Sequence, residues 1–152
     1  MTDTAPLAID LDAIGDTHLL WSAWLESVSG VLGVEPTALP QDRGDAAAAL
    51  DAAGAGNWRT LLKRFAEDHA PAYLRRDAAT SAALRSLASR GVALGVFSDA
   101  PEALTRVAVA QLGAERRASV VESGSGALDR VVEALGPDTI VVRTRNDLLT
   151  RP

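Results

Sequence analysis

The sequence predicts an α/β fold: a three-layer domain in which a parallel sheet of about four strands is flanked by helices, with a small helical cap inserted after strand 1. Three observations predict it. Four short apolar runs, starting at Leu7, Val92, Ala118 and Thr139, have the length and continuity of strands buried on both faces. Helical patterns separate the last three runs, and strands that alternate with helices imply parallel pairing through right-handed crossovers. Between the first and second runs lie three helical patterns in succession, too much chain for a single crossover. The boundaries that follow are a core of residues 1–16 and 76–152 and a helical cap of residues 17–75.

The first strand, Leu7 to Leu11, ends in Asp10-Leu11-Asp12 and a loop containing Gly15. Asp16 or Thr17 is placed to cap a helix from His18 to Val28, with Leu20, Trp21, Trp24, Leu25 and Val28 at helical spacing. Gly30 and Gly33 weaken its end, and Pro36 and Pro40 mark a loop. Asp45 is placed to cap a second helix, Ala46 to Ala53, stopped by Gly54 and Gly56. Asn57 heads a third, Trp58 to His69, which Pro71 ends. Asp77 caps a helix from Ala78 to Ser89, and the second strand, Val92 to Ser98, follows. Asp99-Ala100-Pro101 opens a helix from Glu102 to Leu112. The third strand is Ala118 to Val121, its helix Ala127 to Leu135, and the last strand Thr139 to Arg143, with a half-turn of helix in the tail.

Composition removes several function classes. The chain has 152 residues, 47% hydrophobic and 23% charged, as a single globular domain should. A net charge of −5 with one Tyr and two Phe speaks against nucleic acid, whose phosphates need clustered cations. No apolar run reaches the roughly 20 residues of a membrane helix, so no membrane partner is expected. Met1-Thr2-Asp3-Thr4 lacks the basic start and apolar centre of a signal peptide, and the expected location is cytoplasmic. Zero cysteines exclude disulfides, thiolate metal sites and a cysteine nucleophile. Lys63 is the sole lysine, so any lysine-dependent mechanism must use it.

The chemistry concentrates where the first strand ends. Ligands of open α/β sheets gather beyond the strands' carboxyl ends. Residues i and i+2 of a strand share a face, so Asp10 and Asp12 are expected to point together at one ligand. Two such carboxylates stay ionised together only if a cation or strong donors compensate, and Mg²⁺ is the usual hard cation. The alternative is that Asp10 caps the turn and Asp12 is solvated.

Strand-Asp10-Leu11-Asp12, a helical insertion, then strand-Phe97-Ser98-Asp99-Ala100-Pro101-Glu102 resembles the haloacid dehalogenase superfamily, in the layout with the helical cap directly after the first strand. The resemblance implies a Rossmann-like sheet ordered 3-2-1-4 and a Mg²⁺-dependent phosphoryl-transfer site. The residue matching Asp10 would attack phosphorus and form an aspartyl-phosphate. The residue matching Asp12 would protonate the leaving group and then activate water. Ser98 and Asp99 would meet the substrate, Ser98 through a hydrogen bond to a phosphoryl oxygen, and Asp10, Asp12 and Asp147 would be the metal ligands.

The sequence departs from that pattern in three places. Ile14 stands where the first motif usually has threonine. The segment Glu122 to Arg130 has no lysine where the third motif requires one, although Arg130 lies further along the helix. In the fourth motif Thr144 replaces the first acid between Arg143 and Arg145, leaving only Asp147. Losing one preorganised charge costs on the order of 3 kcal/mol in a transition state, and two additive losses roughly 10⁴-fold in rate. Arg143 and Arg145 offer a counter-reading, gripping an anion or pairing with the two aspartates in place of Mg²⁺.

Other residues invite functional readings beside plainer ones. Ser123-Gly124-Ser125-Gly126 before a helix suggests a phosphate cradle, but lacks the lysine of a P-loop and reads better as a plain loop. Trp21, Trp24 and Trp58 suit core packing between the cap helices, or an oligomer interface that leaves a homodimer open. His18 and His69 form no ligand pair, and Arg59, Lys63, Arg75 and Arg76 read as solvated charge. The expected function is that of a haloacid dehalogenase-like domain, catalytically impaired or inactive and kept for ligand binding or protein association, with a small phosphorylated molecule or a protein as partner. The alternative is a working Mg²⁺-dependent phosphohydrolase of a small phosphorylated metabolite, using Asp10.

Overall fold

Strand β1, Leu7–Asp10, is the inner strand from which the other elements take their places. It pairs in parallel with β2, Leu94–Ser98, on one side and with β4, Ile140–Val142, on the other. Strand β3, Val120–Ser123, pairs in parallel with the far side of β2, so the order is β3-β2-β1-β4, the order that the family resemblance implies. This computed structural model describes residues 5–151. Met1 to Thr4, on which the reading of the N-terminus rests, and Pro152 lie outside that range.

Successive strand residues face opposite sides of the sheet, and both sides are covered. Ala8 and Phe97 pack with Ala127 and Val131 of helix α7, Ala127–Leu135, on one face. Leu7, Ile9, Leu94 and Val96 enter a larger cluster on the other face. That cluster includes Leu84 of α5 (Ala78–Ser89), Leu104 of α6 (Glu102–Gln111) and Leu148 of α8 (Arg145–Leu149). Two helical layers around a parallel sheet make the three-layer α/β arrangement. Gly95 of β2 lets α7 approach, because a Cβ there would run into Val131 and Val120.

Between β1 and α5 the chain forms a short turn of helix, α1 (Leu11–Ile14), then α2 (His18–Leu32), a 3-10 turn (Pro36–Ala38), α3 (Arg43–Ala52) and α4 (Trp58–Tyr73). Helix α2 runs through Gly30 and stops at Gly33, whose φ of 66° is the left-handed cap that glycine adopts without strain. Helix α3 starts earlier than expected, because Asp42 rather than Asp45 caps it, accepting from the Asp45 N–H. Helix α4 does not stop at Pro71 but runs on to Tyr73, so Pro71 lies in its last turn and gives up the bond to the carbonyl four residues back only two residues before the helix ends. Trp24 of α2 and Trp58 of α4 are buried, their rings 6.0 Å apart, and belong with Leu50 and Leu62 to the same cluster as Ile9 and Val96.

One local expectation is overturned. Asp10 and Asp12 do not share a strand face, because β1 ends at Asp10 and the chain turns into α1 at Leu11. The Asp10 carboxylate drives this change by capping the turn, accepting from the Asp12 N–H at 3.0 Å.

Candidate functional site

Asp10 ends β1, and its register partner on β2 is Phe97, so Ser98 closes β2 one residue on and Asp99 lies just past the carboxyl edge beside it. Ser98 is buried, and its hydroxyl accepts from the Ala100 N–H at 3.1 Å, shaping the loop that leads to α6. Asp99 reaches across the edge to Arg43, the first residue of α3.

Arg43 is the centre of the edge. Its side chain is 1% exposed. Its Nη2 donates to Asp99 Oδ1 at 2.7 Å and its Nε to the same oxygen at 2.9 Å, while its backbone N–H donates to Asp99 Oδ2 at 3.0 Å. Nη2 also reaches Asp12 Oδ2 at 3.2 Å, and Nη1 donates to the Thr17 hydroxyl at 2.6 Å. That hydroxyl donates onward to Asp12 Oδ1 at 2.7 Å, and the Thr17 N–H donates to the same oxygen at 2.9 Å. A planar fork of donors suits this arrangement, whereas a lysine would reach one acceptor. Asp12 is therefore not solvated, and its companion carboxylate across the guanidinium is Asp99, not Asp10.

In front of this network opens a cavity of about 520 Å³. Asp10, Asp12, Phe97 and Asp99 line its sheet side, Asp42 and His18 come from the inserted helices, and Gly124 to Asp129 and Arg143 close the rest. The Arg143 guanidinium lies over the Phe97 ring, 5.7 Å from its centroid. Burial pushes the Asp10 carboxyl above its ordinary value, and the Asp12 charge adds to that. The Asp12 N–H, Arg143 and Arg43 oppose it without cancelling it. Burial acts on Asp99 in the same sense, but the backbone N–H and guanidinium of Arg43 outweigh it and hold that carboxyl below the usual range.

The structure thus brings Asp10, Asp12 and Asp99 to one cavity and leaves two expected residues outside its lining. Ser98 lies beneath it, and Asp147 is exposed on α8, where its N–H donates to the Thr144 hydroxyl that caps that helix. Arg145 points away, its Nη2 3.5 Å from the Ile14 carbonyl. Arg130 is bound to the Glu122 carboxylate and to the carbonyls of Ser123 and Ser125, holding the loop after β3. Arg59 pairs with Asp51 and lies over Trp58. Asp12, Asp16 and His18 bring potential ligand atoms within 4.8 Å of one another at the cavity mouth. The His18 ring nitrogen Nδ1 is 3.1 Å from Asp12 and 3.2 Å from Asp16. From the sequence Arg43 has no assigned role, and Thr17 reads only as a candidate helix cap. An arginine after a capping aspartate reads as ordinary helix-surface charge, and its partners lie 26, 31 and 56 positions away.

Mg²⁺ requires a near-octahedral shell of oxygens. Of the three residues matching the family's ligands, Asp12 is engaged by the Arg43 guanidinium, Asp147 lies off the cavity, and only Asp10 is left on the cavity wall, with Arg143 on the wall beside it. This donor set does not fit the ion. Among the described residues no helix is long and apolar enough to cross a membrane.

No protein-family model matches the chain, and no curated protein matches it. A solved structure does match: the crystal structure of a protein assigned as a beta-phosphoglucomutase from Thermotoga maritima, with a TM-score of 0.58 at 15% identity. The superposition covers 90% of this chain and 74% of that one. Identity at this level carries the fold and not the activity. With the strand order β3-β2-β1-β4 and the helices inserted after β1, the chain has a Rossmann-like fold of the haloacid dehalogenase type.

Proposed function

We propose that this chain is a haloacid dehalogenase-type domain that no longer carries out phosphoryl transfer and that binds a small ligand in the cavity at the carboxyl edge. The observation that carries this reading is the state of Asp12. A carboxylate that relays protons needs a free lone pair aimed at the substrate. Both oxygens of Asp12 are occupied, Oδ1 by Thr17 and Oδ2 by Arg43, with His18 also in contact.

The charges around the cavity support the same reading. Asp12 and Asp99 share the Arg43 guanidinium, which ties the second carboxylate of the pair to the inserted helices and not to a ligand. Asp42 and Asp129 are exposed at the rim, where solvent screens them. Arg143 is the wall's cation and the group suited to a ligand's anionic end, such as a phosphate. The inserted helices α2 to α4 act as the cap, with Asp42 and His18 on their side of the cavity.

Hydrolysis of p-nitrophenyl phosphate with Mg²⁺ tests the proposal. Wild type and Asp10→Asn are expected to give the same background rate. A wild-type rate that Asp10→Asn abolishes would establish the second reading, a working phosphohydrolase. The observation favouring that second reading is that Asp10 does line the cavity at the strand end.

A further inference from the structure

We infer that Arg43 is the resident counter-ion of the carboxyl edge: its buried guanidinium supplies Asp12 and Asp99 with the positive charge that a bound cation would otherwise supply, and so fixes the inserted helices on the sheet without any metal. The inference adds to the proposed loss of phosphoryl transfer a reason why the edge needs no ion.

The geometry carries it in three steps. Two carboxylates from different strand ends, Asp12 after β1 and Asp99 after β2, are each partly buried and converge on one point. Such a pair cannot stay ionised unless a cation compensates. The group at that point is not solvent or a surface side chain but Arg43, whose Nη2 bonds both carboxylates and whose Nη1 is taken up by Thr17. Moreover, Arg43 belongs to the insertion, not to the sheet. Its neighbour Gly44 lies against the loop after β3, where a Cβ would come within 2.8 Å of the Ser125 backbone nitrogen. The first turn of α3 is thereby held to the loops following β1, β2 and β3, and the guanidinium is the charged part of that contact. Pairing one fork of donors with two fixed carboxylates needs no dehydration of a metal ion and is present as soon as the chain folds.

The test is thermal unfolding of the whole chain in EDTA and in Mg²⁺ at matched ionic strength, a readout independent of turnover. Wild type is expected to show the same Tm in both. Arg43→Met leaves two carboxylates uncompensated, and its Tm in EDTA should fall by roughly 6–20 °C. Mg²⁺ should recover part of that loss, and the recovery should vanish in Arg43→Met/Asp12→Asn/Asp99→Asn. Where Arg43→Met is unfolded under both conditions, Arg43→Lys decides. It keeps the charge and loses the fork, so it should fold with a lowered Tm and no Mg²⁺ response. A wild-type Tm that rises with Mg²⁺, an Arg43→Met Tm equal to wild type, or an Arg43→Lys that gains a Mg²⁺ response overturns the inference. Because none of these readouts involves phosphate, the chain can fail this test and pass the turnover test, or the reverse.

Discussion

Arg43 Nη2 lies 2.7 Å from Asp99 Oδ1, a contact between residues 56 positions apart that joins the inserted helices to the end of the second strand. Breaking a buried pair from one side strands the other charge, and the cost exceeds the net value of the pair. Asp99→Asn should therefore destabilise the chain by about 2–4 kcal/mol in urea unfolding at pH 7, below the fully buried range because Asp99 is partly exposed. The pH dependence has a defined sign. Arg43 depresses the folded-state value of Asp99, so its contribution is present above the unfolded value of 3.8 and is lost as pH falls through the folded one. The gap between wild type and Asp99→Asn should narrow only in that acid window.

Asp10 behaves oppositely. Its carboxyl is raised, so the folded state binds the proton more tightly than the unfolded chain, and stability falls as pH rises from 3.8 through the raised folded value. Asp10→Asn keeps an oxygen to accept from the Asp12 N–H. It should match wild type in acid and exceed it at pH 7 by about a few tenths of a kcal/mol, the solvent-screened remainder. Arg143 is one of the charges that hold the Asp10 value down, so Arg143→Gln should move it further up. Carboxyl-carbon NMR titration measures both, and an Asp10 midpoint at or below 3.8 would contradict the burial seen here.

Two glycines should answer alanine in opposite ways. At Gly44 a Cβ would meet the Ser125 backbone nitrogen, and backbone cannot move aside as a flexible side chain can. Gly44→Ala should destabilise by about 1–3 kcal/mol. Gly30 is exposed inside α2 with nothing within 4 Å of the added carbon, so Gly30→Ala should stabilise by about 0.5–1 kcal/mol. Chemical denaturation of the two variants side by side reads the contrast, and equal effects would remove the evidence for close docking of α3 on the loop after β3.

Much of the fold was legible in the chain because it is written in local patterns. The run Leu7-Ala8-Ile9 is buried on both sides, as a continuous apolar strand should be. The bounds of α7, Ala127–Leu135, and the Asp77 cap of α5 are the expected ones. The end of β1 was less legible. Leu11 is apolar and buried, which suits a strand as well as a helix, and the choice falls to the Asp10 side chain capping the Asp12 N–H. Likewise, Asp42 and Asp45 are equally good caps by type, and only the position of the first turn against the sheet selects Asp42.

The sequence by itself determined the alternation of strands and helices, the long insertion after the first strand and the arrival of Asp10 at a sheet edge, since periodicity, caps and breakers act over a few residues. Only the folded chain settles that Asp12 meets Arg43 at the cavity wall, that Asp99 joins them and that Asp147 stays outside the cavity. Those outcomes depend on charges brought together from distant parts of the chain, and a buried guanidinium is placed by where its carboxylates end up, not by its neighbours in sequence.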